Sequence, residues 1–234
     1  MKYLDAHCHI LPDAAKCGVG GFIINATSPD DWATVLNKVE RQNVFGAIGV
    51  HPWCARNVCS GWDTKLIELL ENNSKIMVGE IGLDKTRPDI KSQESVFRRQ
   101  LQIAHDLGRV VHIHCVDAWG LCMEILRGCQ LPPAMLFHCF SGSVEIMREL
   151  AQMNAYFSFG AAICDDKKYA KMRTAVMYAP KNRILAESDA PDFLSPDAVP
   201  NTVREIARIR GVDVEDMAEI IYNNTLELVH VQPV

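Results

Sequence analysis

An α/β protein built as a (β/α)8 barrel, a single TIM-type domain over residues 1–234, is the fold the sequence predicts. Three observations predict it. Eight short apolar or β-branched runs recur along the chain, segments with helical spacing lie between most of them, and metal-capable side chains sit repeatedly where the runs end.

In chain order, the first two runs are KYLDAHC (2–8) and GGFIINAT (20–27), followed by the helical PDDWATVLNKVERQ. FGAIGVH (45–51) leads to WDTKLIELLENN, and KIMVGEIG (75–82) leads to SQESVFRRQLQIAHDLG. RVVHIHC (109–115), AMLFHCF (134–140) and AYFSFGA (155–161) each precede a further helical segment: AWGLCMEILRG, SVEIMRELAQMN and DDKKYAKMRTAVMYA. RILAESDA (183–190) is the eighth run, and PNTVREIARIRG and DVEDMAEIIYNNTLELV follow it. Strands alternating with helices argue for parallel pairing, and eight strands close a barrel. An open doubly wound sheet is the competing topology. Ser28, Pro29 and Asp30 form a helix-start signal, a capping hydroxyl and an early proline, and Gly108 after "DL" is a helix-stop signal.

Composition narrows the class. Hydrophobic residues at 48% and charged residues at 23% describe an ordinary soluble globular chain. No apolar run approaches the ~18 residues of a membrane span. The chain opens directly into a strand-like run without a signal-peptide core, which makes the cytoplasm the expected compartment. A net charge of −5 argues against a protein that coats DNA through bulk electrostatics, though not against one that grips a few phosphates locally. The nine cysteines are odd in number, scattered and without CxxC knuckles, so they are expected as reduced thiols, mostly small core fillers.

Functional groups of a parallel barrel gather at the C-terminal ends of its strands. The first run delivers His7 and His9, the third His51, the fourth Glu80, the fifth His114, the sixth His138 and the eighth Asp189. His112 lies just below the top of the fifth, His105 on a helix and His230 in the C-terminal tail. Along a strand side chains alternate, so His7 and His9 point one way and Cys8 the other, outward toward the helices. The same alternation puts His112 and His114 on one face and does not choose between them. A single buried histidine is usually a core residue, but the set His7, His9, Glu80, His114, His138 and Asp189, spread over five strand ends, resists that explanation. Imidazole and carboxylate donors without thiolates suit a catalytic rather than a closed structural site. Six of them (His7, His9, Glu80, His114, His138, Asp189) exceed what one tetrahedral ion needs and suit two divalent ions, Zn, Mg or Mn, sharing a carboxylate. Such a pair activates water and clamps the oxygens of a displaced group.

With those residues in view, the chain resembles the TatD family of metal-dependent hydrolases, a branch of the amidohydrolase-like barrels. The motifs carrying the resemblance are DAHCH (5–9), GVHPW (49–53), GEIGLD (79–84), FRRQLQIA (97–104), VHIHCVDA (111–118), FHCFSGS (137–143) and ESDAP (187–191). The resemblance implies that His7, His9 and Asp189 hold one ion, that His114 and His138 hold the other, and that Glu80 bridges them. It makes His114 rather than His112 the ligand, leaving His112 in a deeper layer of the barrel. Asp189 would also orient or deprotonate the attacking water, and His51 would contact the scissile phosphate. The family is best known for deoxyribonucleases, so DNA or a small phosphoester is the implied substrate, acted on by a monomer or weak oligomer.

Departures bear on that substrate. Val116 stands where the family commonly has arginine, Lys85 replaces a tyrosine, and the segment after ESDAP is short and begins with Asp192, which would repel a polyanion. The loops after strands one and four are also short. An amidohydrolase or esterase acting on a small carboxamide, lactone or ester is therefore the alternative, and a non-catalytic metal- or partner-binding protein on the same scaffold is the third reading. Around the ligands, Asp84 is expected to brace the strand-four loop or a ligand, and Asp117 to cap the helix near Ala118. Ser141 and Gly142 offer a hydroxyl and a helix N-terminus. Trp53 is placed to stack on a base or to pack its loop, and Arg98 and Arg99 belong to a solvated helix face.

Overall fold

Each of the eight apolar runs forms a strand in the computed structural model, which describes residues 2–11, 18–191 and 198–231. The strands are β1 (Leu4–Cys8), β2 (Gly21–Asn25), β3 (Val44–Ile48), β4 (Met77–Asp84), β5 (Val111–Val116), β6 (Met135–Phe137), β7 (Ala155–Phe159) and β8 (Ile184–Ala186). Helices α1 (Trp32–Lys38), α2 (Trp62–Asn72), α3 (Ile90–Asp106), α4 (Trp119–Arg127), α5 (Val144–Gln152) and α6 (Ala170–Tyr178) alternate with them, and α7 (Ala198–Arg210) and α8 (Val214–His230) follow β8. The sheet runs β1 to β8 in sequence order and every pair from β1–β2 through β7–β8 is parallel, which excludes the open doubly wound alternative. The ends meet. His9 N–H donates to Ala190 O at 2.8 Å, Asp189 N–H donates to His7 O at 3.0 Å, and the Asp5 carboxylate accepts from both N–H and Oγ of Ser188.

Alternation along the strands sorts side chains into two layers. Phe22, Ile24, Ile48, Val78, Ile113, Phe137 and Phe157 pack outward with the helices in one large core, and Cys8 joins them. Ile23, Ala47, Met77, Leu136, Tyr156 and Leu185 belong to a second apolar cluster that plugs the barrel from below. Backbone spacing at the sheet's centre depends on two glycines. A Cβ on Gly79 would stand 2.7 Å from His112 Cβ, and one on Gly82, at φ 138°, would overlap the His114 carbonyl.

Several local expectations are corrected. Helix α1 begins at Trp32 rather than near Pro29, because the Asp31 carboxylate turns back to accept from the amides of Thr27 and Ser28. Asp117 caps nothing at the start of α4; it is exposed at φ 51°, and no side chain caps that helix. Ser143, not Ser141, caps α5 by accepting from Ile146 N–H. His230 ends α8 instead of lying in a tail. Among the described residues Cys8, Cys115 and Cys122 lie in the core and Cys54 and Cys129 pack against it, as expected; Cys59 and Cys164 are exposed, and all eight described cysteines are free. The stop signal at Gly108 holds: φ is 64° at Gly18 and 62° at Gly108, whose N–H donates to His105 O at the end of α3. None of the described helices is long and apolar enough to cross a membrane. Asp192 and the start of the segment after ESDAP lie outside the described residues.

Candidate metal centre

Glu80, in the middle of β4, is 1% exposed, and its two oxygens face different sets of imidazoles. Oε2 lies 3.2 Å from Nε2 of both His7 and His9. Oε1 lies 2.8 Å from His138 Nε2, 2.9 Å from His114 Nδ1 and 3.2 Å from His51 Nε2. The sets are internally close as well: His7 Nε2 to His9 Nε2 is 3.4 Å, and His114 Nδ1 to His138 Nε2 is 3.0 Å. About 3.3 Å is the edge of a tetrahedron of donors drawn at the ~2.0–2.1 Å distance of zinc–nitrogen bonds. Asp189 is looser, with Oδ1 3.8–3.9 Å from the nitrogens of His9 and His7. All seven residues singled out in the sequence thus converge on one place. Among the described residues, His7–His9–Asp189, His7–Glu80–His138 and His51–Glu80–His114 are groups with metal-ligand spacing.

The donor chemistry fits cations. Burial works against a charge on Glu80, yet His138, His51 and His7 hold its carboxyl well below the usual range. Burial pushes His7 and His51 down, toward the neutral imidazole that ligation requires. Against burial, Glu80 lifts His138 well above its ordinary value. The proton it would hold at Nε2 is one that a cation displaces. Glu80 Oε1 makes no hydrogen bond of good geometry despite its three near nitrogens, an orphan that positive charge would satisfy.

The far side of each ring indicates which nitrogen carries the proton. His9 Nδ1 is 3.0 Å from Asn25 O and must donate, leaving Nε2 with a lone pair toward Glu80. For His138, Nδ1 faces Glu187 Oε1 at 3.6 Å, and for His114, Nε2 faces Asp84 Oδ2 at 3.6 Å, so carboxylates favour protons there and lone pairs inward. His51 is opposite. Its Nδ1 accepts from the Trp53 backbone N–H at 3.2 Å, so the neutral ring carries its proton on Nε2, pointing into the centre. That nitrogen is a donor, suited to an anionic oxygen rather than to a cation.

Two glutamines that the sequence reading passed over hold the strand ends in place. They lie two turns apart on α3 and are buried. Gln100 accepts from Val50 N–H and donates to Val50 O, fixing the residue before His51. Gln93 makes the same pair of bonds to the backbone of Asp84. Asp84 itself accepts from Trp53 Nε1 at 2.6 Å and from Thr86 N–H and Oγ1, so it braces both the strand-four loop and His114, as expected. A third missed group is Glu187. Fully buried, it accepts from Cys139 N–H at 2.8 Å and from the Ser158 hydroxyl, and it faces His138. Cys139 at φ 42° and Asp189 at φ 53° are left-handed, a conformation that side-chain-bearing residues adopt where surrounding contacts impose it.

His112 lies below the donors with 0% exposure, its ring 5.9 Å from that of His7 and neither nitrogen bonded. Burial depresses its pKa well below the ordinary value. Arg98 and Arg99 pair with Glu94 and Asp63 on the exposed face of α3. Val116 is half-buried and Lys85 exposed. Trp53 is 53% exposed at the mouth, with its ring edge-on to His51 at 5.0 Å.

Comparison with known proteins decides the family: residues 4–230 match the model for TatD related DNase. The chain belongs to that family. It is 30% identical to the 3'-5' ssDNA/RNA exonuclease TatD of Escherichia coli, over 89% of the chain and 87% of that protein. An uncharacterised metal-dependent hydrolase of Methanocaldococcus jannaschii is 28% identical over 96% of each. Among solved structures, the E. coli TatD homolog YJJV superposes with a TM-score of 0.88 at 27% identity, covering 97% of both chains. The chain is thus a family hydrolase acting on ester bonds, built on the fold of metal-dependent hydrolases.

Proposed function

We propose that this protein uses two divalent cations to cleave phosphodiester bonds in nucleic acid. His7, His9 and Asp189 hold one cation, His114 and His138 the other, and Glu80 is shared. The observation carrying this reading is the buried Glu80 with two imidazoles on one oxygen and three on the other. Cations bound there supply Lewis acidity and lower the pKa of water, with Zn, Mg or Mn all compatible with N/O donors. His51 donates its Nε2 proton to a phosphate oxygen. Asp189, 17% exposed at its side chain, orients the attacking water and takes its proton at Oδ2, the oxygen not facing His7 and His9. The nuclease names of relatives such as the E. coli exonuclease support a nucleic-acid substrate. A monomer or weak oligomer in the cytoplasm accords with this role.

Glu80→Gln is the test. It keeps the shape and removes the shared charge. Metal content by elemental analysis is expected to fall from two equivalents, and turnover of single-stranded DNA and of bis(p-nitrophenyl) phosphate to become undetectable. Retained metal and turnover would sink the assignment. A carboxamide or small ester is favoured by one observation, the uncharged Val116 beside His114 where the family commonly has arginine. Turnover of an amide or lactone panel with phosphodiesters inert would select it.

A further inference from the structure

Trp53 is the wall between two clefts of different character. On one side, a groove of about 570 Å³ lies between α1 and α2, lined by Trp32, Leu36, Cys54, Trp62 and Leu69 as well as Trp53. On the other, a cleft of about 320 Å³ carries Arg56 and Arg87. The Arg87 guanidinium lies 4.1 Å from the centre of the indole, so one face of the ring is already a cation–π contact. Arg56 reaches Asp89 only at 3.8 Å, and among the described residues no carboxylate pairs with Arg87. In a chain of net charge −5, two guanidiniums beside the centre are a local cationic feature. The indole lies 5.0 Å from the His51 ring and 6.4 Å from that of His114, so whatever rests on it adjoins the reacting group.

A half-exposed indole with cations on one flank and an apolar groove on the other matches a nucleotide, which presents a flat π-face and a phosphate. Proteins that hold single strands combine such stacking platforms with cationic tracks. We propose that Trp53, Arg87 and Arg56 form a subsite for the nucleotide next to the scissile one, its base on the indole facing the α1–α2 groove and its phosphate on the guanidiniums. The inference rests on the phosphodiesterase reading above and names the part of the substrate that this reading leaves free. It also supplies positive charge that Val116 does not.

Trp53 has a second contact, Nε1–H to Asp84, so the test separates stacking from bracing. Binding of fluorescein-labelled octathymidylate is measured by anisotropy in EDTA at several salt concentrations, for the wild type, Trp53→Ala, Trp53→Phe and the Arg56→Gln/Arg87→Met double variant. Steady-state turnover of octathymidylate and of bis(p-nitrophenyl) phosphate is compared with Mn²⁺. Trp53→Ala is expected to raise the Kd roughly 5- to 150-fold, the range of one lost base stack, with Trp53→Phe near the wild type. The double variant is expected to lower the salt slope by about 0.7, for the one phosphate that the two guanidiniums share. In turnover, KM for octathymidylate rises at least tenfold more than KM for the small diester. Wild-type binding by these variants, no octathymidylate binding by the wild type, or equal losses in Trp53→Phe and Trp53→Ala on both substrates would overturn the subsite. Absence of wild-type turnover on either phosphodiester would instead defeat the phosphodiesterase reading, while the anisotropy still decides the subsite.

Discussion

The barrel interior has two storeys built from the same strands. Below, Leu136 on β6 and Leu185 on β8 are part of a plug that is apolar apart from the Tyr156 hydroxyl. Two residues further along each strand direction, His138 and Glu187 belong to a polar layer in which Glu187 is hydrogen-bonded while Glu80 Oε1 and the outer nitrogens of His7, His114 and His138 are not. The lower storey gains from packing alone and tolerates no gap. The upper one holds a buried carboxylate amid five imidazoles, an arrangement that costs stability unless positive charge fills it. Stability and activity are therefore separable along a single strand.

Truncating the plug is expected to have the larger effect on folding. Leu136→Ala removes a fully buried side chain, and about 2–5 kcal/mol of unfolding free energy is expected to disappear in denaturant titration. Turnover per folded molecule would remain, and a parallel loss of both would blur the two-storey distinction. Glu187→Gln acts on the upper layer instead. It keeps the volume but takes the negative partner from His138 Nδ1, so metal affinity by competition with a chelator is expected to weaken roughly 10- to 100-fold.

His112 lies on the boundary, buried with both nitrogens unbonded. Replacing it by leucine removes orphaned polar atoms at similar volume. A gain of about 1 kcal/mol in thermal or denaturant unfolding is expected, with metal content unchanged; a loss of metal would show that the ring belongs to the upper storey. Outside the barrel, Arg208 and Arg173 hold the Glu205 carboxyl at about 2. Because this folded value is depressed below the ordinary 4.5, the contribution is present above about pH 4.5 and is lost as pH falls toward 2. Glu205→Gln is expected to lower stability at neutral pH by on the order of 1 kcal/mol, given solvent screening, and to converge on the wild type near pH 2–3. A constant difference across that range would dismiss the pairing.

Much of this could be read from the chain because strand alternation and donor chemistry are local signals. His7 and His9 share a face by the period of a strand, and Glu80 sits in a motif that the family resemblance makes specific. What stayed hidden was non-local. Glu187 looked like an ordinary polar residue beside Asp189, since its partners Ser158 and Cys139 are 29 and 48 residues away. Gln93 and Gln100 gave no signal because their amides serve the ends of β4 and β3, which helical periodicity does not reveal. The α1 start was misread for a related reason: Asp31 can cap forward or accept from the turn behind it, and short-range sequence favours neither. The tautomers of His9, His114 and His138 are set by groups distant in the chain, whereas the His51 donor is set locally, by the Trp53 N–H two residues on.

The seam between β1 and β8 has a consequence for how the protein is made. Asp5 and Ser188, which clasp it, are 183 residues apart, and the groups flanking them, His7 and Asp189, stand on opposite sides of it. A nascent chain emerging from the ribosome carries the first pair of imidazoles long before the last carboxylate exists. No fragment short of the eighth strand can bring His7, His9 and Asp189 together, so the full cluster forms only once synthesis has reached that strand.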